Sequence, residues 1–117
     1  MESVLGIGGY FVRAGDPGAL SAWYRDCLGL AADEHGMWRQ QDGVTVFAAF
    51  DADTDYFGSR GQAVMLNFRV RDLDAMLAQL RAHGADVAAE TQDLAGVGRF
   101  GWVTDPEGNR IELWQPA

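Results

Sequence analysis

The residue best placed to do chemistry in this chain is Glu112, because its carboxylate interrupts an apolar run between Ile111 and Leu113. That run is β-branched and aromatic, which predicts a β-strand. A carboxylate in mid-strand either points to solvent or is held in a cavity, where it can bind a ligand or transfer a proton. Residues 105–109, D-P-E-G-N, predict a tight turn, and Trp102 belongs to the strand before it. The C-terminal region therefore predicts a hairpin that positions one acidic group.

This hairpin resembles the end of a module in the vicinal-oxygen-chelate superfamily, which includes glyoxalase I, bleomycin-resistance proteins and extradiol dioxygenases. In that group a D-P-x-G-N turn leads into a strand whose Glu is a metal ligand in the metalloenzymes. Here the turn, the strand and Glu112 recur in the same order. The resemblance implies an α+β fold in which two βαβββ modules form a cupped, eight-stranded open barrel with the helices outside. Residues 1–117 would form one glyoxalase-like domain, with modules at 1–57 and 62–117.

An internal repeat supports the two-module prediction. Residues 10–16 align with residues 66–72 at a shift of 56 positions, which places Arg13 over Arg69. Both segments predict a strand followed by a helix, with Asp16 and Asp72 as the N-caps. The first helix is expected to stop at Gly29 and the second at Gly84. Further strands are predicted at 30–33, 37–41, 44–50, 86–90, 99–104 and 109–114, with loops at 51–61 and 92–98.

Strand alternation predicts which side chains share a face. Asn67 and Arg69 share one face of the segment 65–70, and Glu112 and Trp114 share one face of the last strand. Ile111 and its apolar neighbours are expected to pack against the helices. The resemblance implies that the polar face lines the cup. The tentative catalytic residue is Glu112, and the candidate substrate-binding residues are Arg13, Phe47, Asn67, Arg69, Trp102 and Trp114.

The family's metal-ligand positions are poorly filled in this sequence. The resemblance places ligands at Gly9, at Met65 and near Phe47, and none of these side chains is a suitable donor for Zn²⁺, Ni²⁺ or Fe²⁺. Only Glu112 remains, whereas about three protein ligands are usual in a catalytic zinc site. We therefore predict no metal and no other cofactor, and a divalent metal is disfavoured.

Composition limits the partners. The formal net charge of −8 and the pI of about 4.4 disfavour nucleic acid and anionic membranes. No apolar run approaches the length of a membrane span, the N-terminus lacks the features of a signal peptide, and Cys27 is the only cysteine, so a cytoplasmic location is expected. The resemblance implies a homodimer, in which Tyr56 and Phe57 serve as a dimer contact or a pocket lid.

Three functions remain open. The first is a glyoxalase/bleomycin-resistance-like protein that binds a small organic ligand in the cup. The second is a metal-free lyase or isomerase in which Glu112 moves a proton next to a carbonyl. The third is a metalloenzyme such as a lactoylglutathione-lyase-like protein or a dioxygenase. A structural alternative carries equal weight for the carboxylate itself, namely an ion pair with Arg13, Arg69 or Arg110.

Overall fold

A computed structural model describes residues 1–3, 5–59 and 61–117 of the chain. It is an α+β structure with two helices and a five-stranded mixed sheet. In chain order, the elements are α1 (Pro17–Leu28), β1 (Asn67–Arg69), α2 (Leu73–Ala82), β2 (Asp86–Val87), β3 (Gln92–Leu94), β4 (Gly98–Thr104) and β5 (Arg110–Pro116).

The two helices confirm the sequence prediction. The Asp16 carboxylate accepts a hydrogen bond from the backbone N–H of Ala19, and Asp72 accepts one from Ala75, both at 3.0 Å. Each bond satisfies a backbone donor that the first turn would otherwise leave free. Gly29 ends α1 with a φ of 71°, which favours glycine. Within the described residues, neither helix has the length and hydropathy needed to cross a bilayer.

Strand β5 is a central strand of the sheet and lies between β1 and β4. It pairs in parallel with β1 and antiparallel with β4, while β2 and β3 pair with the other edge of β4. Ile111 and Leu113 are almost fully buried and form the core with Val103, with Leu73 and Leu80 of α2 and with other apolar side chains. The alternation predicted for β5 is confirmed, so the opposite face of the strand carries Glu112.

The strand predictions need two corrections. Residues 92–98 were expected to be a loop, yet Gln92–Leu94 forms β3 and pairs with Gly98–Phe100. This short hairpin is polar and exposed, so it lacks the apolar alternation by which strands are recognised. The second concerns the strand count, because the described residues form a sheet of five strands and the predicted eight-stranded barrel is not confirmed.

The predicted strands of the first half are absent from the described residues. No strand is assigned at 10–13, 30–33, 37–41 or 44–50, so the first module lacks the βαβββ arrangement in this single chain. A strand requires a neighbour that accepts and donates its backbone hydrogen bonds. Among the described residues these segments pair with no strand, and most of their apolar side chains are exposed, with Phe11 and Phe47 both at 93%. The pattern of residues was therefore insufficient to predict the pairing.

Candidate functional site: a buried carboxylate on an aromatic sheet face

The face of the sheet that carries Glu112 has two rows of cross-strand neighbours. The carboxylate row consists of Asn67, Glu112 and Trp102 on β1, β5 and β4. The aromatic row consists of Arg69, Trp114 and Phe100 on the same three strands. Side chains directly opposite on neighbouring strands lie close enough to interact. The sheet register therefore brings together residues that are up to 47 positions apart (114 minus 67) in the chain.

The Glu112 carboxylate is held by three side chains from three separate segments. Oε1 accepts a hydrogen bond from Nδ2 of Asn67 at 2.7 Å, and Oε2 accepts one from Nε1 of Trp102 at 3.1 Å. Oε2 also accepts a short hydrogen bond from the Tyr56 hydroxyl. The residue is only 8% exposed, so both oxygens are satisfied by protein donors rather than mainly by water.

All three partners of Glu112 are neutral groups. Among the described residues no salt bridge involves this carboxylate, so the predicted ion pair with Arg13, Arg69 or Arg110 is not found. A buried charge without a counter-charge is costly, and hydrogen bonds offset only part of that cost. The arrangement therefore preserves an acceptor that can interact favourably with an additional donor.

The environment of the Tyr56 hydroxyl raises its pKa. Burial, followed by the hydrogen bond to Glu112 and the negative charge of that carboxylate, raises the pKa of Tyr56 to about 12. Hydrogen bonding with Trp102 and the positive charge of Arg110 act in the opposite direction on this pKa. Tyr56 is consequently protonated at neutral pH and acts as a donor to the carboxylate.

Arg110 lies beside the site without pairing with Glu112. Its guanidinium carbon lies 5.2 Å from the ring centroid of Trp102, which is a cation–π geometry, and its Nε donates to the backbone carbonyl of Tyr56 at 3.1 Å. The Gln62 side chain brackets the backbone of Arg110, donating to its carbonyl at 2.8 Å and accepting from its N–H at 2.7 Å. The loop that carries Tyr56 is thus anchored at the start of β5.

The aromatic row borders an open groove of about 530 Å³. The rings of Phe100 and Trp114 are parallel within 3°, with centroids 6.0 Å apart. The Arg69 guanidinium donates to the backbone carbonyls of Gln41 at 2.8 Å and Asp42 at 3.1 Å, which draws that segment across the sheet face. At Gly43 a Cβ would lie 1.7 Å from Nη1 of Arg69, so a larger residue there would require the Arg69 guanidinium to move. The groove has the size and mixed character of small-molecule sites.

A second buried carboxylate, Asp105, is built differently. Its Oδ1 accepts from the backbone N–H groups of Glu107 at 2.9 Å and Asn109 at 3.0 Å. Its Oδ2 accepts from the Tyr24 hydroxyl at 2.7 Å and from Nδ2 of Asn109 at 2.8 Å. Burial, together with the hydrogen bond to Asp105, raises the pKa of Tyr24 far above its usual range. Asp105 therefore closes the β4–β5 turn and ties it to α1.

The structure brings most of the predicted site residues onto one face. Asn67, Arg69, Trp102, Glu112 and Trp114 all belong to the two rows. The other two candidates lie elsewhere in this structure: Arg13 is exposed, and Phe47 is 93% exposed. Their roles as ligand contacts stay predictions.

Three further residues of the site were not among the candidates. Phe100 has the same strand parity as Trp102, so alternation along β4 was a usable signal. Arg110 shares the parity of Glu112 and was considered only as its ion-pair partner. Tyr56 had been assigned to a lid or a dimer contact, and no local pattern relates it to a glutamate 56 positions away.

The surroundings of Glu112 do not fit a metal ion. In residues 1–3, 5–59 and 61–117, no three His, Cys, Asp or Glu side chains lie together in a way that could hold a metal. Both carboxylate oxygens face N–H or O–H donors, which stabilise an anion and cannot ligate a cation through those hydrogens. The donor set is therefore that of an anion held by hydrogen bonds.

The chain is similar in sequence to known glyoxalase-like proteins. Residues 10–114 match the family model described as "Glyoxalase-like domain". A stretch of 50 residues is 42% identical to the protein named "Putative glyoxylase CFP32" in Mycobacterium bovis and in Mycobacterium tuberculosis. The match covers 43% of this chain and 19% of those proteins, so the chain aligns with about a fifth of their length.

Solved structures show the same fold. TnmS3, an antibiotic binding protein from Streptomyces sp. CB03234, superimposes with a TM-score of 0.67 and 24% identity over 100% of both chains. A glyoxalase-related enzyme from Fulvimarina pelagi superimposes with a TM-score of 0.60 and 19% identity, over 96% of this chain and 88% of that one. Because the family model spans both helices and strands β1 to β4, the chain belongs to the glyoxalase-like domain family of the vicinal-oxygen-chelate superfamily.

Proposed function

We propose that this protein binds a small organic molecule on the face formed by the carboxylate and aromatic rows, with Glu112 as the polar anchor and without a metal ion. The observation that carries the proposal is a carboxylate only 8% exposed whose partners among the described residues are all neutral donors. Such a group costs folding stability relative to an apolar residue of similar size. A functional role would explain why it is present. Binding a ligand donor is the role that this position supports best.

The neighbouring side chains support the same proposal. Trp102 and Trp114 lie on the two rows beside Glu112, and an open groove of about 530 Å³ adjoins Trp114 and Arg69. Aromatic walls with a few convergent polar groups are typical of sites for drug-sized ligands. The similar protein TnmS3 is described as antibiotic binding, which favours a drug-like ligand as the first class to test.

The test is a binding measurement with a panel of neutral, cationic and anionic aromatic compounds, made by calorimetry on the wild type, Glu112→Gln and Glu90→Gln. Glu90 is exposed, so its variant is a matched control for the same chemical change. We expect at least one compound to bind, and Glu112→Gln to weaken it roughly tenfold or more, since a hydrogen bond to a charged group contributes about 1.5–3 kcal/mol. A panel without any binder, or equal affinities in Glu112→Gln and wild type, would contradict the proposal.

We also propose that two copies of the chain form a homodimer. Apolar side chains that are more than half exposed cluster in the first half of the sequence, namely Met1, Leu5, Ile7, Phe11, Met37, Val44, Val46 and Phe47. Exposed apolar surface of this kind marks an interaction site. A second copy would cover it and supply backbone partners to segments 5–14 and 37–50, which would complete the eight-stranded cup. Light scattering that gives the 12.7 kDa mass of a single chain would contradict this.

The proposal of a metal-free site has its own test. Gly9 and Met65 stand at the positions where the family resemblance implies ligands, and the Glu112 oxygens face hydrogen-bond donors. Elemental analysis of the purified protein should therefore find no stoichiometric transition metal. About one tightly bound metal per chain would contradict the expectation and would require other ligands.

A further inference from the structure

Tyr56 contacts the Glu112 carboxylate from a loop rather than from the sheet. Its hydroxyl donates to Oε2 of the carboxylate, and its ring is only partly buried. On one side the ring stacks on Phe50 at 5.5 Å between centroids and 23° between planes, and it meets Trp102 edge-on at 6.1 Å and 85°. The environment thus holds a phenol, with an aromatic slot for the ring and a carboxylate for the hydroxyl.

Among its described residues, the loop around Tyr56 is tied to β5 by side-chain hydrogen bonds at Arg110 and by no strand pairing. Its backbone bonds are local turns, from Thr54 to Asp51 and from Gly58 to Asp55, both at 3.0 Å. The ties to β5 come from Gln62 and from the bond between Arg110 and the Tyr56 carbonyl. The Tyr56 side chain is therefore attached to a segment whose removal from Glu112 would leave the β4–β5 and β1–β5 pairings intact.

We propose that the phenol of Tyr56 is an intramolecular occupant of the site, and that the protein binds hydroxyaromatic ligands, which displace Tyr56 and donate their own hydroxyl to Glu112. This inference rests on the function proposed above and specifies its ligand class. A ligand phenol satisfies the same acceptor and the same aromatic slot, so the exchange keeps every type of contact that the site makes now.

Charge narrows the ligand class further. An anionic ligand would be repelled by the Glu112 carboxylate. An ammonium group would lie near the Arg110 guanidinium, whose positive charge already acts on Tyr56. A neutral hydroxyl avoids both repulsions and supplies the donor that the carboxylate accepts. Displacement also has a cost, because ligand affinity is reduced by the fraction of molecules in which Tyr56 fills the site.

The experiment uses two fluorescent probes of nearly equal shape, 2-naphthol and 2-methoxynaphthalene, which differ in the hydroxyl donor. Binding is measured on the full chain for wild type, Tyr56→Ala, Tyr56→Phe, Phe57→Ala and the double variant Tyr56→Ala/Glu112→Gln. Phe57 packs against Phe50 and has no polar group for Glu112, so Phe57→Ala controls for loss of a loop ring.

We expect Tyr56→Ala to bind 2-naphthol roughly tenfold or more tightly than the wild type does, because a competing hydrogen bond to a charged group has been removed. Tyr56→Phe should bind 2-naphthol severalfold more tightly than the wild type does. This variant replaces Tyr56→Ala in the test if Tyr56→Ala fails to fold. Phe57→Ala should show no gain in 2-naphthol affinity. In Tyr56→Ala, 2-naphthol should bind about tenfold more tightly than 2-methoxynaphthalene, and the double variant should abolish that preference.

Two outcomes would overturn the inference. Equal 2-naphthol affinity in wild type, Tyr56→Ala and Tyr56→Phe would show that Tyr56 does not occupy the ligand position. Absence of 2-naphthol binding, or equal binding of the two probes in Tyr56→Ala, would show that hydroxyaromatic compounds are the wrong class. If a compound without a hydroxyl still requires Glu112 in the calorimetric panel, the proposed function stands and only this inference fails.

Discussion

Asp105 and Glu112 are both buried carboxylates of the β4–β5 hairpin, yet they are held in opposite ways. Asp105 accepts two backbone N–H groups of its own turn as well as two side-chain donors, whereas the partners of Glu112 among the described residues are all side chains from distant segments. Backbone donors in a tight turn are fixed once the turn forms, whereas a side chain on a loop can leave. We therefore propose that Asp105 stabilises the fold and that Glu112 serves ligand binding.

The largest expected effect is on stability, from Asp105→Ala. This change removes the acceptor for Tyr24, for Asn109 and for the turn backbone at once. We expect the free energy of unfolding to fall by about 3 kcal/mol or more, measured by urea denaturation. Asp53→Ala, at an exposed loop position, serves as the control. A loss of stability below about 1 kcal/mol would mean that Asp105 is not a major stabilising residue, and the contrast with Glu112 would fail.

Glu112→Gln should show the reverse profile. The amide keeps one acceptor oxygen for Asn67 and its nitrogen can donate to the Tyr56 hydroxyl, while Nε1 of Trp102 loses its acceptor. We therefore expect a stability loss of about 1–2 kcal/mol, smaller than that of Asp105→Ala. Ligand affinity should fall roughly tenfold or more, as in the calorimetric test above. A variant that loses several kcal/mol of stability while keeping full affinity would place Glu112 with Asp105 as a structural residue.

The two tyrosines that donate to these carboxylates sharpen the comparison. Tyr24→Phe should cost about 1 kcal/mol, because it leaves a buried Asp105 oxygen with one partner fewer. Tyr56→Phe should cost less, since its hydroxyl lies on a loop at a site that another donor can fill. Thermal unfolding of both variants measures which one loses more stability. A larger loss of stability for Tyr56→Phe than for Tyr24→Phe would contradict the expectation.

The smallest expected effect is a change with pH. The pKa of Tyr56 is raised from 10.0 to about 12, so the folded state retains this proton more firmly than the unfolded state. Its contribution to stability is therefore complete below about pH 10 and is lost as the pH rises through about 12. Tyrosinate absorbance at 295 nm reports this ionisation together with those of Tyr10 and Tyr24, the other two tyrosines of the chain.

The measurement compares wild type with Tyr56→Phe and Glu112→Gln. Subtracting the Tyr56→Phe titration should isolate a step near pH 12, and Glu112→Gln should move that step downward because the negative charge is removed. A Tyr56 step centred near pH 10 in the wild type would mean that its hydroxyl does not donate to Glu112 in solution.

Local signals explain why the helices and the hairpin were predictable. Asp16 and Asp72 cap helices through bonds that span three residues, and the turn at 105–109 is closed by its own side chains. The same holds for the face of β5, since strand alternation places Glu112 opposite the buried Ile111. Each of these features depends on a few neighbouring positions.

The first-half strands and Tyr56 depend on contacts far along the chain or outside it. Segments 37–41 and 44–50 have strand-like composition, but pairing requires a partner that composition does not identify. The bond from Tyr56 to Glu112 joins a loop to the last strand across 56 positions. The 56-residue repeat was informative for the two helices, whose caps correspond, and not for the strand expected at 10–13.

The most direct test of the central claim is a crystal structure of the protein with the calorimetric binder in place. We predict a ligand polar atom about 3 Å from a Glu112 carboxylate oxygen and a ligand ring against Trp102 or Trp114. Tyr56 should have moved from its present position on Glu112. A ligand bound elsewhere, with the hydrogen bonds of Glu112 to Tyr56, Asn67 and Trp102 unchanged, would contradict the assignment of this carboxylate to binding.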